Sequence, residues 1–421
     1  MRNKKPLIIT ACISGTILEW YDFTLFGIFS PVISELFFPS DSKVVSLLAT
    51  FGTFALGFIA RPIGAFILGN RGDQKGRKST FLFSLILMII PSILIGLLPT
   101  YHQIGVWSPA LLILLRIIQG ISLGGESGGA ITYLAEYAKP RERGMFAALP
   151  LASAHAGILL SSVIGFVLIE IIGKEDLHSW GWRIPFILTL VLGLIAFYLR
   201  KKMEETEVFQ ELKKKKKVER LPVKTIFHKQ GKTLLLLTGA FLTSVSFPYF
   251  LFFYLPSFIT RNADVSERHS FLINTLILIV TLIIIPLFAY LVPSTQRKKS
   301  LIILNIIIAV LVFPVFHFFL EASLHSYLLL VLCLGVFSSG YLANMPAFVS
   351  ENFYHQFRYT GTNVSMNVAS AIFGGTVPLI MTWLSTYRDF KIYAALYFFI
   401  LAVLSLISVL LIRYKNQFVD K

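Results

Sequence analysis

The sequence predicts an all-α polytopic membrane protein with about twelve transmembrane helices in two six-helix halves, and three observations lead to this fold class. Hydrophobic residues make up 55% of the 421 residues, the mean hydropathy is +0.74, and only 14% of the residues are charged. Apolar stretches of about 20 residues, the length that crosses a bilayer, recur along the chain. One long polar segment separates the first six stretches from the last six. This composition excludes a soluble domain.

Each predicted span is an apolar stretch bounded by polar or charged residues. In the first half the stretches cover residues 8–38, 44–69, 79–98, 109–137, 145–172 and 183–200. In the second half they cover residues 233–259, 269–292, 300–320, 325–349, 361–383 and 390–412. The predicted domains are therefore an N-terminal half (1–200), a basic cytoplasmic linker (201–232) and a C-terminal half (233–421).

The distribution of Lys and Arg supports this count of spans, because cytoplasmic loops carry an excess of positive charge. Of the 38 Lys and Arg, 29 fall on one side of the predicted membrane, 7 on the other, and Arg61 and Arg116 inside spans. The richer side includes both termini, which we expect in the cytoplasm. The net charge of +16 fits loops that face an anionic inner leaflet, so membrane lipids are expected partners and nucleic acid is not.

The linker contains five consecutive lysines, Lys213 to Lys217. A regulatory or lipid contact is one interpretation of this run, and a solvated connector is the preferred one.

Cys12 and Cys333 both lie in apolar spans, which indicates neither a disulfide framework nor a metal site. Ser153 and His155 are two residues apart on a helix and do not face each other, so we expect no enzyme. No group of His, Asp and Glu has the spacing of a metal site, and we expect neither a metal nor a cofactor.

Five ionisable residues lie deep inside the predicted spans: Glu19, Asp22, Arg61, Arg116 and Glu126. A charge at the bilayer centre costs at least ~2.5 to 3.5 kcal/mol on insertion scales, so such residues mark functional sites by default. Pairs that only hold helices together are the alternative. Glu19 and Asp22, three residues apart, share a helix face. We expect all five to point at one cavity.

An internal repeat supports the two halves. Glu136 is followed seven residues later by Arg143, and Glu351 is followed seven residues later by Arg358, each time after the fourth span of the half. Repeated halves with a binding site between them are a general architecture of transporters.

The loop between the second and third spans, from Gly69 through Asp73, Gly76 and Arg77 to Lys78, resembles the signature loop of the major facilitator superfamily. Within that superfamily the chain is similar to the metabolite:proton symporter family, which includes proline/betaine, oxoglutarate, citrate and shikimate carriers. Further segments carry this resemblance, namely Glu19 to Phe23, Arg61 to Gly64, Arg116 to Gly120, Gly124 to Glu126, Trp180 to Phe186, Glu205 with Thr206, and Phe373 to Gly375.

The chain also departs from the family pattern. The corresponding loop of the second half, Pro293 to Lys299, keeps the basic residues but lacks the Asp and Gly of the signature. Gating on that side is therefore expected to use fewer fixed contacts. Glu207 stands where the family usually has proline. Only about nine residues follow the last predicted span, so we do not expect the C-terminal coiled coil of the osmosensing carriers.

The resemblance implies a proton-coupled symporter that imports a small metabolite or compatible solute by alternating access. The five buried charges fit this role: three acids face two arginines, and burial beside like charge favours protonation of the unpaired acid near neutral pH. The expected coupling pair is Asp22 with Arg116, as in related proton-driven sugar carriers, with Glu126 as second choice and Glu19 as third. The expected gating residues are Gly69, Asp73, Gly76, Arg77, Lys78, Glu136, Arg143, Glu351 and Arg358.

For the substrate, Arg61 or Arg116 is expected to receive a carboxylate, since arginine binds it in bidentate geometry. The other candidate binding residues are Gln119, three positions after Arg116, and the aromatic residues Trp20, Tyr21, Tyr249 and Tyr254. Their aromatic rings suit an ammonium group. Packing is the alternative role for those rings. His155 and His317 lie in spans, where each either relays protons or bonds to a backbone carbonyl.

The sequence thus predicts a multi-pass carrier of the bacterial inner membrane, monomeric by expectation, that moves a small molecule together with protons. Proline or betaine is the leading substrate class. The alternatives are an oxo- or dicarboxylate symporter and an uncoupled facilitator or antiporter.

Overall fold

A computed structural model describes residues 5–255, 258, 267–319 and 324–414, and these residues form sixteen α-helices and no strands. Five of the Lys and Arg counted above lie outside the described residues, namely Arg2, Lys4, Arg261, Lys415 and Lys421.

Ten helices cover the first half, the linker and the start of the second half. They are α1 (Lys5–Ile28), α2 (Ser30–Phe37), α3 (Lys43–Lys75), α4 (Arg77–Leu97), α5 (Tyr101–Ile104), α6 (Trp107–Tyr137), α7 (Arg143–Asp176), α8 (Arg183–Lys201), α9 (Glu207–Lys214) and α10 (Pro222–Tyr249). Of these, α9 belongs to the linker and α10 opens the second half.

The second half continues with six further helices. They are α11 (Glu267–Leu291), α12 (Arg297–Phe319), α13 (Leu324–Asn352), α14 (Arg358–Ala369), α15 (Val377–Leu384) and α16 (Phe390–Leu411). Widened π-helical turns extend α10 at Phe250–Tyr254 and α14 at Ser370–Gly374. Such turns are frequent at functional sites.

Eleven helical segments of the described chain are long and apolar enough to cross a membrane. The remaining long helix is α1, whose 24 residues include Glu19 and Asp22. The all-α polytopic fold expected from the sequence is therefore confirmed, with about twelve spans.

Two span boundaries differ from the sequence prediction because of proline. The first predicted span, 8–38, breaks after Ile28, and Pro31 occupies the first turn of α2. Pro222 likewise starts α10 well before the apolar stretch that begins at residue 233. Proline is favoured in the first turn, where its missing N–H has no intrahelical partner. The last part of the predicted linker, from Pro222, is therefore helical.

Glycines bring α3 and α6 into backbone contact. A Cβ on Gly64 would lie 2.0 Å from the carbonyl oxygen of Ile121, and one on Gly120 would lie 2.2 Å from that of Gly57. Small residues permit such close approach between membrane helices. The tight contact holds Arg61 on α3 beside the acidic and polar residues of α6.

The two halves meet along two sets of helices. Helix α14 packs against α3 and α6, while α11 and α13 pack against α7. Between these contacts, Arg61 of the first half reaches the second half.

Candidate functional site

A cavity of about 80 Å³ lies between the halves. Its first-half wall comes from α1, α3, α6 and α7, and its second-half wall from α10, the turn after it, α13 and α14. Its polar and aromatic lining residues are Trp20, Arg61, Ser127, His155, Phe241, Ser244, Tyr249, Phe252, Phe253 and Ser370.

Arg61 reaches from α3 across the cavity to the second half. Its Nε donates to Asn367 Oδ1 at 3.0 Å and its Nη1 donates to the Tyr249 hydroxyl at 3.3 Å. The guanidinium lies over the rings of Trp20 and Phe58, at 5.9 and 5.6 Å from their centroids. These bonds use two of the five guanidinium N–H groups, so the side chain is held in place with donors to spare.

Glu19 lies next to this cavity and is fully buried. Both of its carboxylate oxygens accept from the Ser127 hydroxyl, at 3.0 and 3.1 Å. In the described residues no cationic group lies within ion-pair distance of it. A carboxyl group bonded only to a neutral hydroxyl can change protonation state without breaking an ion pair.

Asp22 and Arg116, the expected coupling pair, are joined through a third residue. Gln119 Nε2 donates to Asp22 Oδ2 at 2.6 Å, and Gln119 Oε1 accepts from Arg116 Nη1 at 2.9 Å. Within the described part of the chain, Asp22 Oδ1 has no hydrogen-bond partner. The direct pair that the sequence suggested is therefore replaced by a relay, and Gln119 is its centre, away from the cavity lining.

Three phenylalanines surround the Arg116 guanidinium. The ring centroids of Phe23, Phe26 and Phe54 lie 5.0, 4.3 and 5.7 Å from its central carbon. Cation–π contact stabilises a desolvated arginine that has few hydrogen-bond partners. This arrangement keeps Arg116 charged and close to Asp22 without neutralising the acid directly.

Glu126 is engaged differently, in a contact that the sequence analysis missed. Arg200, counted above among the 29 Lys and Arg on the cytoplasmic side, is buried inside the first half and forms a bidentate ion pair with Glu126. Its other bonds go to the carbonyl oxygens of Ala11 and Phe81. Gly15 makes room, since a Cβ there would overlap the guanidinium. The buried cluster therefore holds three acids and three arginines, which corrects the expected excess of one carboxylate.

Arg200→Met is expected to destabilise the protein by about 3–5 kcal/mol, because removing one partner of a buried pair leaves an uncompensated charge. Thermal unfolding of the purified protein in detergent measures this. The double variant Arg200→Met, Glu126→Gln removes both charges and should recover much of the loss. An Arg200→Met protein as stable as wild type would contradict a structural role for the pair.

Two other candidate binding residues lie away from the cavity. The Tyr21 hydroxyl donates to the carbonyl oxygen of Pro185 at 2.8 Å inside the first half. The Tyr254 hydroxyl donates to the carbonyl oxygen of Met381 at 3.2 Å inside the second half. Both bonds satisfy buried hydroxyls, which favours a packing role.

The two histidines also differ in position. His155 lines the cavity, where its Nδ1 lies 3.3 Å from Thr281 Oγ1 of α11 and its ring lies 4.9 Å from that of Phe252. It thus contacts a side chain of the other half rather than a backbone carbonyl. His317 is exposed at the far end of α12.

The signature loop forms a contact between the halves that we call the first clasp, made of Asp73, Arg77, Glu136 and Arg358. Asp73 accepts from the backbone amides of Tyr359 and Thr360 at 3.2 and 2.8 Å. These amides belong to the first turn of α14, where a carboxylate is favoured by unpaired N–H groups and the helix dipole.

Arg77 and Glu136 complete the first clasp. Arg77 Nη2 lies 3.3 Å from Asp73 and 3.2 Å from Glu136, and it donates to the carbonyl oxygen of His355 in the second half. Arg358, also from the second half, lies 3.6 Å from Glu136. All of these charged side chains are fully buried.

Sequence reasoning assigned no role to Glu205, which connects the linker to the signature loop through hydrogen bonds. Its carboxylate accepts from the backbone amides of Arg77 and Lys78, at 3.1 and 3.2 Å, at the start of α4. Gly76 makes the turn between α3 and α4 at φ = 103°, where a side chain would be strained and would also meet Glu205. The only sequence signal for this contact was the resemblance around Glu205 and Thr206.

A second clasp consists of Arg297 and Glu351 of the second half and Arg143 of the first half. Arg297 forms an ion pair with Glu351. Arg143 donates to the carbonyl oxygen of Ala135 at 3.2 Å, and Glu351 acts on it electrostatically from the second half.

Comparison with protein families gives a match to the Major Facilitator Superfamily over residues 12–375. The inner membrane metabolite transport protein YhjE of Escherichia coli K12 is 33% identical over 415 residues, with 97% of this chain and 94% of that protein covered. A proline/betaine transporter of Salmonella typhimurium is 31% identical, with 95% of this chain and 82% of that protein covered. The glycine betaine/proline/ectoine/pipecolic acid transporter OusA of Dickeya dadantii is 31% identical over similar shares, 96% and 82%.

Among solved structures, the proton:xylose symporter XylE bound to 6-bromo-6-deoxy-D-glucose superposes with a TM-score of 0.78 at 16% identity, over 96% of this chain and 94% of that one. The inward-open conformation of XylE from E. coli gives a TM-score of 0.64 at 17% identity, over the same shares of the two chains. These likenesses establish the fold, and the family match with the relatives above establishes the lineage. The chain belongs to the major facilitator superfamily.

Proposed function

We propose that this protein is a proton-coupled symporter that imports a small zwitterionic solute of the proline or betaine type across a bacterial inner membrane. The observation that carries the proposal is a cavity lined by Arg61 with Glu19, an acid that has no direct ion pair, bonded to the cavity-lining Ser127. Arg61 supplies the substrate contact, while Asp22 and Glu19 supply groups that can be protonated. The names of the relatives, which include proline/betaine transporters, support the same substrate class.

The composition of the cavity favours one carboxylate over two. Of the described lining residues, Arg61 is the one with a permanent charge. Trp20, Tyr249, Phe252 and Phe253 surround the remaining space with aromatic rings, which attract a quaternary or secondary ammonium. A dicarboxylate would leave its second charge without a cationic partner, and burying it unpaired is costly.

Asp22 is our proposed proton carrier, with Glu19 as the second candidate. The ion pair with Arg200 favours a structural role for Glu126 instead. Protonation of Asp22 would weaken its bond through Gln119 to Arg116, and this step links the proton to the packing of α1 against α6. Glu19 could pass a proton between this relay and the cavity through its contact with Ser127.

The two clasps are our proposed gate. Both occupy the end of the molecule that carries the basic loops, which the positive-inside rule assigns to the cytoplasm together with both termini. With the clasps formed, the cytoplasmic side is closed. Alternating access then requires that Asp73 leave the first turn of α14 and that Arg358 and Glu136 separate during each cycle.

The test is substrate-induced proton movement in proteoliposomes that enclose a pH-sensitive dye, with proline, betaine, oxoglutarate and citrate added separately from outside. We expect internal acidification on addition of proline or betaine, and none with oxoglutarate or citrate. Substrate entry without a proton signal would indicate an uncoupled facilitator. Acidification with oxoglutarate alone would indicate that the substrate is an oxoacid.

A further inference from the structure

The glutamate of each clasp accepts a hydrogen bond from a hydroxyl group that follows the last span of one half. Thr206 Oγ1, which follows α8, donates to Glu136 Oε2 at 2.8 Å. The Tyr414 hydroxyl, which follows α16, donates to Glu351 Oε2 at 2.6 Å. Glu136 and Glu351 occupy equivalent places in the internal repeat, so the two hydroxyls are equivalent as well.

Residues 412–414, which follow α16 and end at Tyr414, are held against the second half. The Tyr414 ring stacks on Phe348 of α13, with centroids 5.5 Å apart and an interplanar angle of 11°. Lys298, beside the second clasp, donates to the carbonyl oxygens of Leu410 and Ile412 at 3.1 and 2.6 Å. The segment is thereby fixed to both helices that supply the Arg297–Glu351 pair.

Glu351 holds this hydroxyl at the boundary between the halves. A Cβ on Gly144, at the start of α7, would lie 2.8 Å from Arg297 Nη2, so the first half touches the pair directly. Burial raises the pKa of the Tyr414 hydroxyl, and the negative charge of Glu351 raises it further, so Tyr414 remains a neutral donor. A hydrogen bond to a charged acceptor is among the stronger ones in proteins.

We propose that Tyr414 is a positioning residue of the transport cycle, which holds Glu351 in the orientation that closes the cytoplasmic side. The segment after the last span then acts as part of the gate, in the same way that Thr206 does in the first half. This inference rests on the alternating access proposed above. It makes the second clasp dependent on a residue beyond the membrane-spanning part of the chain.

The experiment measures how accessible the closed interface is from the cytoplasmic side. Thr360 is fully buried in α14 and faces Gly69 of the first half, so Thr360→Cys, with Cys12 and Cys333 replaced by alanine, places a reporter there. Everted vesicles are treated with a membrane-impermeant maleimide. We expect Tyr414→Phe to increase the labelling rate by up to roughly tenfold, since a bond to a charged group can shift a two-state equilibrium by that factor.

Two further variants make the outcome decisive. Tyr397→Phe removes a hydroxyl that has no hydrogen-bond partner among the described residues, so its labelling rate should equal that of wild type. Lys298→Gln loosens the same segment without touching Tyr414 and should increase labelling. Because labelling requires neither substrate nor a proton gradient, it remains informative if the proposed symport fails.

An unchanged rate in Tyr414→Phe would overturn the inference, as would an equal increase in Tyr414→Phe and Tyr397→Phe. If Tyr414→Phe does not fold, the Lys298→Gln protein decides the question. Labelling of that variant at the wild-type rate would then rule out a gating role for the segment.

Discussion

Asp22→Asn is expected to abolish concentrative uptake while leaving exchange of substrate across the membrane intact. One proton per zwitterion moves one charge, and 100 mV of membrane potential is worth ~2.3 kcal/mol per charge, or about 50-fold accumulation. An asparagine cannot take up the proton, so accumulation should fall to about equal concentrations on both sides. Exchange should continue because Asn keeps a group that can bond to Gln119.

Uptake into proteoliposomes under an imposed potential, beside counterflow of labelled substrate, measures both properties. Asp41→Asn is the matched control, since Asp41 is exposed between α2 and α3 and should keep full accumulation. Glu19→Gln is tested in parallel. If Glu19→Gln uncouples the carrier and Asp22→Asn does not, then Glu19 is the proton carrier and the Asp22 relay is structural.

Arg61→Lys is expected to weaken substrate binding by about 10- to 100-fold, because hydrogen bonds to charged groups contribute about 1.5–3 kcal/mol each. Lysine keeps the charge but lacks the planar guanidinium, whose several N–H groups can donate to Asn367 and Tyr249 and to a substrate carboxylate at the same time. The loss should therefore appear in the Kd for the solute. Isothermal titration with proline or betaine measures it.

Two variants define the specificity of that result. Tyr249→Phe removes one acceptor from Arg61 and one ring hydroxyl from the cavity, so a smaller loss of affinity is expected. Arg71→Lys changes an arginine outside the cavity that lies over the Phe83 ring, and it should leave the Kd unchanged. Equal affinity of wild type and Arg61→Lys would place the carboxylate site elsewhere.

The fold class, the number of spans and the lineage were predictable from sequence because they depend on local properties. Apolar stretches of spanning length and the uneven distribution of Lys and Arg are set by the cost of burying polar groups in lipid. The signature loop and the repeated Glu and Arg carried enough residues in fixed order to indicate the family. Arg61 was selected as a charge in apolar surroundings and Trp20 and Tyr249 as aromatic rings that suit an ammonium group, and the structure brings these three together at the cavity.

The partners of the buried charges were decided by the tertiary structure. Arg200 stands before two lysines at the end of a span, where its sequence resembles an ordinary basic loop, yet the packing of α8 against α1 turns it inward to Glu126. Gln119 likewise lies between Asp22 and Arg116 only because α6 places it there. Hydrophobicity acts residue by residue and is visible in the sequence, whereas an ion pair requires two side chains distant in the chain to meet, and only the packed helices bring them together.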